Sequence, residues 1–366
     1  MKKKISKTFL NNAFTYLLVI VAFVVIMSMQ NAGKLSFSFK NQLVPVCVFI
    51  VMAVSLNLVV GISGELSLGH AGFMCVGAFS GSITIAVLNG VVTDPTLRLI
   101  IGLIVGAAFA AVTGVIVGVP VLRLRGDYLA IVTLAFGEII RNILNCLYVS
   151  LDEAGLHFGF NNPTLPGKMI VNGPMGVKND AKLATFVMGF ALVMLTLIVV
   201  LNLINSRSGR AMMALRDNRI AAESVGISAT KYKLMAFVVS AALAGMAGVL
   251  YGANIGTVTS KEFIFDKSIL VLVYVVFGGI GNIWGSIISA ALLTTLPELL
   301  RFFPAFKKNR MLIFAIVLIL VMLITNSAMV KGWIARIKAL FSKKEEAPKE
   351  ATADDEPETE EGGTEE

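Results

Sequence analysis

Residues Gly61–Gly81 read GISGELSLGHAGFMCVGAFSG: six glycines, an acid and a histidine set between two strongly apolar runs. A glycine-broken stretch of this kind has unpaired backbone groups, and at membrane depth it is tolerated only where protein or a water-filled cavity covers it. A second stretch of the same character, FGGIGNIWG at residues 277–285, lies more than 200 residues later. Each is followed by a helix rich in Ala, Gly and Ser. Short, Gly-interrupted segments in the two halves of a chain are the best sequence pointer to a transport pathway.

The rest of the composition agrees. Of 366 residues, 56% are hydrophobic and 15% charged, against about a quarter charged in soluble domains. Apolar runs fall at 13–29, 43–62, 69–89, 97–119, 128–148, 183–204, 234–254, 267–281, 283–298 and 311–330. Runs this long and this many predict an all-α polytopic membrane protein of about ten transmembrane helices (eight to ten), with a membrane domain over 13–330. The basic start, 1–12, with an apolar run behind it and no small-residue cleavage site, reads as the flank of an uncleaved first helix.

Charge orients the chain. The last 22 residues, 345–366, hold 11 of the 23 acids and one of the 31 bases, which leaves 30 bases against 12 acids in the body. These bases cluster in short loops: Arg123 and Arg125; Arg207, Arg210, Arg216, Arg219, Lys231 and Lys233 in the loop 205–233; and the segment 331–344. The positive-inside rule puts these loops and both termini in the cytoplasm of a cell whose plasma membrane the chain spans. Arg301, Lys307, Lys308 and Arg310 run against this order, and the count changes there if 267–298 is a re-entrant hairpin or a single long helix. The segment 149–182 becomes the longest outside loop, and its Asn, Pro and Gly content predicts an ordered cap. The tail 345–366 predicts disorder.

Several function classes drop out. Cys47, Cys75 and Cys146 all lie in apolar runs and read as small buried hydrophobes. His70 and His157 have no partner at metal-ligand spacing, so no metal is expected. No phosphate-binding G-x-x-x-x-G-K-[ST] loop occurs, so ATP hydrolysis by that route is not expected of this chain. The bases do not form one polar face suited to nucleic acid. No cofactor is implied.

Some segments carry chemistry. In the loop NSRSGRAMMALRDNRIAAESVGISATKYKLMAF, Asn218 is placed to cap a short helix starting near Arg219, and Gly226 to end it in a left-handed turn. Such a helix, flanked by bases, is suited to enter a cleft on a cytosolic partner; equally, it is a solvated loop obeying the charge rule. Glu138 sits about ten residues into its run with Arg141 one turn on. It is either a pathway group or half of an i,i+3 pair that locks packing. Glu65, Ser67, Gly69 and His70, with Gly278, Gly279 and Gly281, are the pathway or gating candidates. Glu65 and His70 singly can also be buried groups that bond exposed backbone. The small-residue stripes at 240–252 and 285–291 read as helix packing.

Taken in order, Ser67-Leu-Gly-His-Ala-Gly-Phe73, Leu124-Arg-Gly-Asp-Tyr-Leu129, Thr133-Leu-Ala-Phe-Gly-Glu-Ile-Ile-Arg141, Leu215-Arg-Asp-Asn218, Ala221-Ala-Glu-Ser-Val-Gly-Ile227, Ala244-Gly-Met-Ala-Gly248 and Gly278-Gly-Ile-Gly281 resemble the branched-chain amino acid ABC-transporter permeases of the LivM type. The resemblance runs over residues 43 to 325. It implies an all-helical importer subunit with a homologous second permease, two cytosolic ATPases that supply the ATP energy, and an extracellular binding protein that selects substrate. It implies that Arg216, Asp217, Arg219, Ala221, Ala222, Glu223 and Gly226 form the coupling element on an ATPase. Three departures stand out. Ile220 occupies a position that is Glu in many permeases. The outer loop lacks the family's Thr-Gly-Gly-x-x-Gly. Residues Thr325-Asn-Ser-Ala328 replace an Arg-Pro pair. A stand-alone secondary transporter or channel is the alternative; it would need ion ligands at midplane, for which Glu138 and the break at 61–72 are the candidates. An intramembrane enzyme would need a nucleophile and base at depth, and no such set occurs.

Overall fold

The computed structural model describes residues 7–33, 36–124, 126–152, 155–161, 164–178, 183–301, 312–316 and 318–320. Arg125, Lys307, Lys308, Arg310, most of the run 311–330, the basic segment 331–344 and the acidic tail lie outside the described residues. The chain divides into two units. The second begins at Leu312, and its described residues are apolar and helical. All that follows concerns the first.

Eleven helices follow one another among the described residues: α1 (Lys7–Asn31), α2 (Phe37–Asn57), α3 (His70–Val87), α4 (Pro95–Val121), α5 (Asp127–Asn145), α6 (Phe186–Asn205), α7 (Arg207–Asp217), α8 (Arg219–Ser224), α9 (Ala229–Asn254), α10 (Phe265–Gly278) and α11 (Ile283–Arg301). Six stretches are long and apolar enough to cross a membrane: 37–62, 70–90, 95–121, 186–205, 229–254 and 283–300. The expected spans at 13–29, 128–148 and 267–281 also hold helices, with reasons for falling short. The apolar part of α1 is only Thr15–Asn31. α5 carries Asp127, Glu138 and Arg141. α10 has 14 residues, about 21 Å of helix against a hydrocarbon core of about 30 Å.

The centre is the α3–α4–α9 contact. The stripe at 240–252 turns its glycines onto α3 and α4. A Cβ on Gly77 would strike the Gly245 backbone, and one on Gly248 the Met74 carbonyl. One on Gly114 would come within 2.8 Å of the Ala241 Cβ. Backbones approach this closely only where side chains are absent or small. The register fixes direction. Gly77 meets Gly245 and Gly81 meets Val249, so α3 and α9 run parallel. Gly106 meets Val249 and Gly118 meets Leu234, so α4 opposes α9. Gly69 and Gly72 meet Thr133 and Gly137, which sets α5 parallel to α3. Asn57 bonds Ser286, and Gln42 bonds the Thr294 carbonyl, so α2 and α11 are antiparallel. α1 packs on α6 through Phe23, stacked on Phe186 and Phe190. An apolar cavity of about 480 Å³ lies between α1, α2, α6 and α11.

The fold is not purely helical. Strands β1 (Leu147–Asp152), β2 (Gly155–Phe160), β3 (Lys168–Asn172), β4 (Val177–Lys178) and β5 (Thr257–Val258) form one antiparallel sheet in the order β2-β1-β3-β4-β5. Its core is a row of four fully buried valines, one on each of β1, β3, β4 and β5: Val149 opposite Val171, Val171 opposite Val177, Val177 opposite Val258. Because β5 follows α9 and α7–α8 precedes it, the sheet and α7–α8 sit at opposite ends of that 26-residue helix. Cysteine needs one correction. Cys47 and Cys75 are buried, but Cys146 is exposed, because α5 ends there and the chain turns into β1.

Candidate functional site

α2 does not simply stop. It runs into a π-helical turn, Leu58–Ile62, and such wide turns are frequent at functional sites. The last carbonyls of a helix have no intrahelical partner and carry partial negative charge. Here the Gly61 carbonyl accepts a 2.8 Å hydrogen bond from Nη1 of Arg216 on α7. On the same helix, fully buried Asn57 accepts from the Gly281 N–H at 2.8 Å and donates to Ser286 Oγ at 2.9 Å. The two glycine breaks therefore meet. A Cβ on Gly61 would overlap both Asn57 and the Gly281 backbone. Gly279 and Gly281 both have positive φ, at 89° and 83°, which makes the α10–α11 turn one that L side chains rarely adopt.

The first break then climbs into α3. Glu65 pairs with Lys233 on α9, both nearly buried. The Ser67 hydroxyl is buried with no partner among the described residues. The first turn of α3 takes its acceptors from two other helices: Leu68 N–H donates to Thr133 Oγ1 at 3.0 Å and Ala71 N–H to Ser268 Oγ at 2.9 Å. Gly69 lies flush against the Thr133 carbonyl. His70 Nε2 is 2.8 Å from Ser55 Oγ in a dry contact. The same hydroxyl lies 3.0 Å from the Met52 carbonyl, so Ser55 ties the ring to the α2 backbone.

Glu138 is held elsewhere. One oxygen accepts from Arg141 Nε at 2.8 Å and the other from the Phe265 N–H at 3.2 Å. The i,i+3 pair is thus formed, and the carboxylate also caps the first residue of α10, a favourable place for negative charge. It shares a narrow slot with Gly69, Gly72 and Ser268, and does not reach the Gly61–Gly281 junction.

α7 and α8 form a small amphipathic elbow. Ser206 Oγ caps α7 by accepting from Gly209 N–H at 3.1 Å, and Asn218 Oδ1 caps α8 through Ala221 N–H at 3.1 Å. α8 closes with the Gly226 N–H on the Glu223 carbonyl and the Ile227 N–H on the Ala222 carbonyl. Gly226 has φ 84°, the paired C-terminal bonds of a left-handed cap. Ala222 is buried with Leu215 and Ala229, against Ile227, so a larger side chain there would lift α8 off α9. The outer face is the reverse. Ile220 is 82% and Val225 75% exposed, while Arg219 and Glu223 pair at 2.9 Å beside them. Arg216 and Asp217 pair at 2.9 Å. A polar pocket of about 280 Å³ separates Arg219 from Glu65 and Asp127.

Two residues of this geometry carried sequence signals that went unread. Asn57 is a lone amide inside the apolar run 43–62. Lys267 opens the run 267–281; its ammonium donates to the Tyr251 hydroxyl at 3.1 Å and lies 4.2 Å from the Tyr251 ring and 5.3 Å from that of Phe263. This aromatic surround stabilises a cation away from water.

Comparison with known proteins follows the same residues. The family described as branched-chain amino acid transport system / permease component matches residues 38–322. The high-affinity branched-chain amino acid transport system permease protein LivM of Salmonella typhimurium is 39% identical over 277 residues, 71% of this chain and 63% of that protein. LivM of Escherichia coli (strain K12) is 38% identical with the same coverage. The LivH permease protein of the same Salmonella system is 25% identical over 285 residues, 75% of this chain and 89% of that one. The chain thus spans 63% of the length of the LivM proteins it matches. No solved structure gives a significant match.

Proposed function

The chain belongs to the family of permease components of branched-chain amino acid transport systems, as a multi-pass membrane protein, and from that premise we propose that it is the membrane subunit of an ATP-binding-cassette importer. Its cargo is a branched-chain or related amino acid handed over by an external binding protein. Separate ATPase subunits supply the energy, and a second, homologous permease completes the pathway. The observation that carries this reading is the α8 tip: two apolar side chains, Ile220 and Val225, stand in water beside an ion pair, on a helix whose opposite face is pinned by Ala222. An exposed apolar knob on a rigid, capped mount fits a cleft on a soluble partner. Ile220, in the place where many family members have Glu, makes that contact apolar, with Arg219 and Glu223 at its rim.

The orientation follows the bases. α7–α8 faces the cytoplasm, where the ATPases are, and the sheet faces outside, where a binding protein delivers substrate. Ten crossings of the plasma membrane with both termini inside is our reading, and the opposed directions of α4 and α9 and of α2 and α11 are those it requires. In it α10 is a half-length helix that enters from an extended segment. The two glycine breaks form the gate region near the cytoplasmic end.

A co-purification tests the reading. The chain is expressed with candidate ATPase subunits, extracted in mild detergent and pulled down, as wild type and as Ile220→Asp. Retention of ATPase by the wild type, reduced about tenfold or more by the substitution, is expected, since one buried apolar anchor is worth that much. A folded wild-type chain that keeps no ATPase, or an Ile220→Asp chain that keeps all of it, overturns the proposal.

A further inference from the structure

Arg216 lies on the element we assign to ATPase docking, and although the residue stays exposed, its guanidinium also reaches back into the fold. It turns inward and crosses to the Gly61 carbonyl, 155 residues earlier in the chain. Its stem passes over Gly64, where a Cβ would sit 2.6 Å from Cγ, and Gly64 has φ 75°. Its Nε and Nη2 both donate to Asp217 Oδ1, at 3.0 and 2.9 Å. The guanidinium fork is thus locked by its neighbour, and one arm is left to hold the end of α2. Nη1 also lies 3.7 Å from where a Gly281 Cβ would stand. One charged group therefore holds the end of the first break and faces the second.

We propose that Arg216 is the positioning residue that carries movement of α7–α8 into the two breaks at once. This rests on the importer reading above. The route is short: Asp217 fixes Arg216, Arg216 holds the Gly61 carbonyl, and Asn57, one turn back on α2, holds the Gly281 N–H and Ser286 on α11. The contacts between Gly61 and Gly281 are backbone against backbone, and close-packed contacts transmit displacement instead of absorbing it. The π turn at Leu58–Ile62 is the irregular element on this route, and wide turns of this kind recur at functional sites. The exposed tip of α8 is the handle, and Arg216 is the connection behind it. A lysine cannot replace it, because one ammonium lacks the fixed fork that serves Asp217 and Gly61 together.

The test uses the assembled transporter in proteoliposomes, with radiolabelled leucine as probe, and reads two rates: leucine taken up and ATP hydrolysed. Both rates are read on complexes that retain ATPase in the detergent pull-down, and in Arg216→Ala they are expected to part. Leucine moved per ATP should drop about tenfold or more, the factor that a charge-assisted hydrogen bond is worth. Arg216→Lys should fall nearly as far, and it carries the same test should the alanine variant not fold. Uptake and hydrolysis falling in equal proportion overturns the inference. So does loss of the ATPase from Arg216→Ala while the wild type retains it, which would make Arg216 a docking contact. A wild-type chain that retains no ATPase refutes the importer reading, and the inference with it.

Discussion

The α3–α4–α9 contact and the junction of the two breaks are both built on glycine, and they use it in opposite ways. In the first, Gly77, Gly106, Gly245 and Gly248 sit inside regular helices and serve only to let backbones touch. Van der Waals contact over three helices leaves nothing that can be exchanged for an equivalent. In the second, Gly64, Gly279 and Gly281 adopt positive φ, and the backbone is held by side chains: Arg216 on Gly61, Asn57 on Gly281. Hydrogen bonds of this kind can be broken and remade. The first region is a fixed frame and the second is where a frame of this type can bend.

Substitutions can break that contrast. The largest effect is expected inside the frame: Gly77→Val drives a side chain into the Gly245 backbone, which should destabilise the chain by about 4 kcal/mol or more. A thermal melt in detergent, or loss of monodisperse protein, reports it; a melt equal to wild type would deny the frame its rigidity. Next comes the ion pair at the edge of the first break. Glu65→Ala leaves Lys233 buried and unpaired, at a cost of about 3–5 kcal/mol. The double variant Glu65→Leu with Lys233→Met should recover most of it, and a double-mutant cycle measures the difference. The smallest effect isolates backbone conformation from space. Gly226 has positive φ, but nothing lies within 4 Å of a Cβ there, so Gly226→Ala should lower the melting free energy by only about 1 kcal/mol.

The parts legible in the sequence were the local ones. The apolar runs became helices, and Asn218 and Gly226 bound α8 because a cap and a left-handed terminator act within a few residues of themselves. The small-residue stripe of α9 could be read as packing because helical spacing alone puts Gly245, Gly248 and Gly252 near one face. What stayed hidden needed partners from far along the chain. The sheet could not be read from strands of two to six residues whose shared feature, the valine row, is assembled from positions 149, 171, 177 and 258. Arg216 looked like one more base in a basic loop, since nothing local says that it turns inward. The meeting of the two breaks was equally invisible: their kinship in composition was plain, but Asn57, which joins them, belongs to neither.

The sheet has a consequence for biogenesis. Its strands leave the ribosome at different times. Residues 147–178 are complete well before α6 to α9, and only after those helices are made does Val258 emerge to extend the row that ends at Val177. Closing a long loop grows costlier only slowly with its length, so the wait adds little energetic burden. It does set a schedule: the first four strands can pair before the fifth exists, and the fifth joins them once α9 has been made. The valine row is thus complete only when α9 is in place, because Val258 follows directly on that helix.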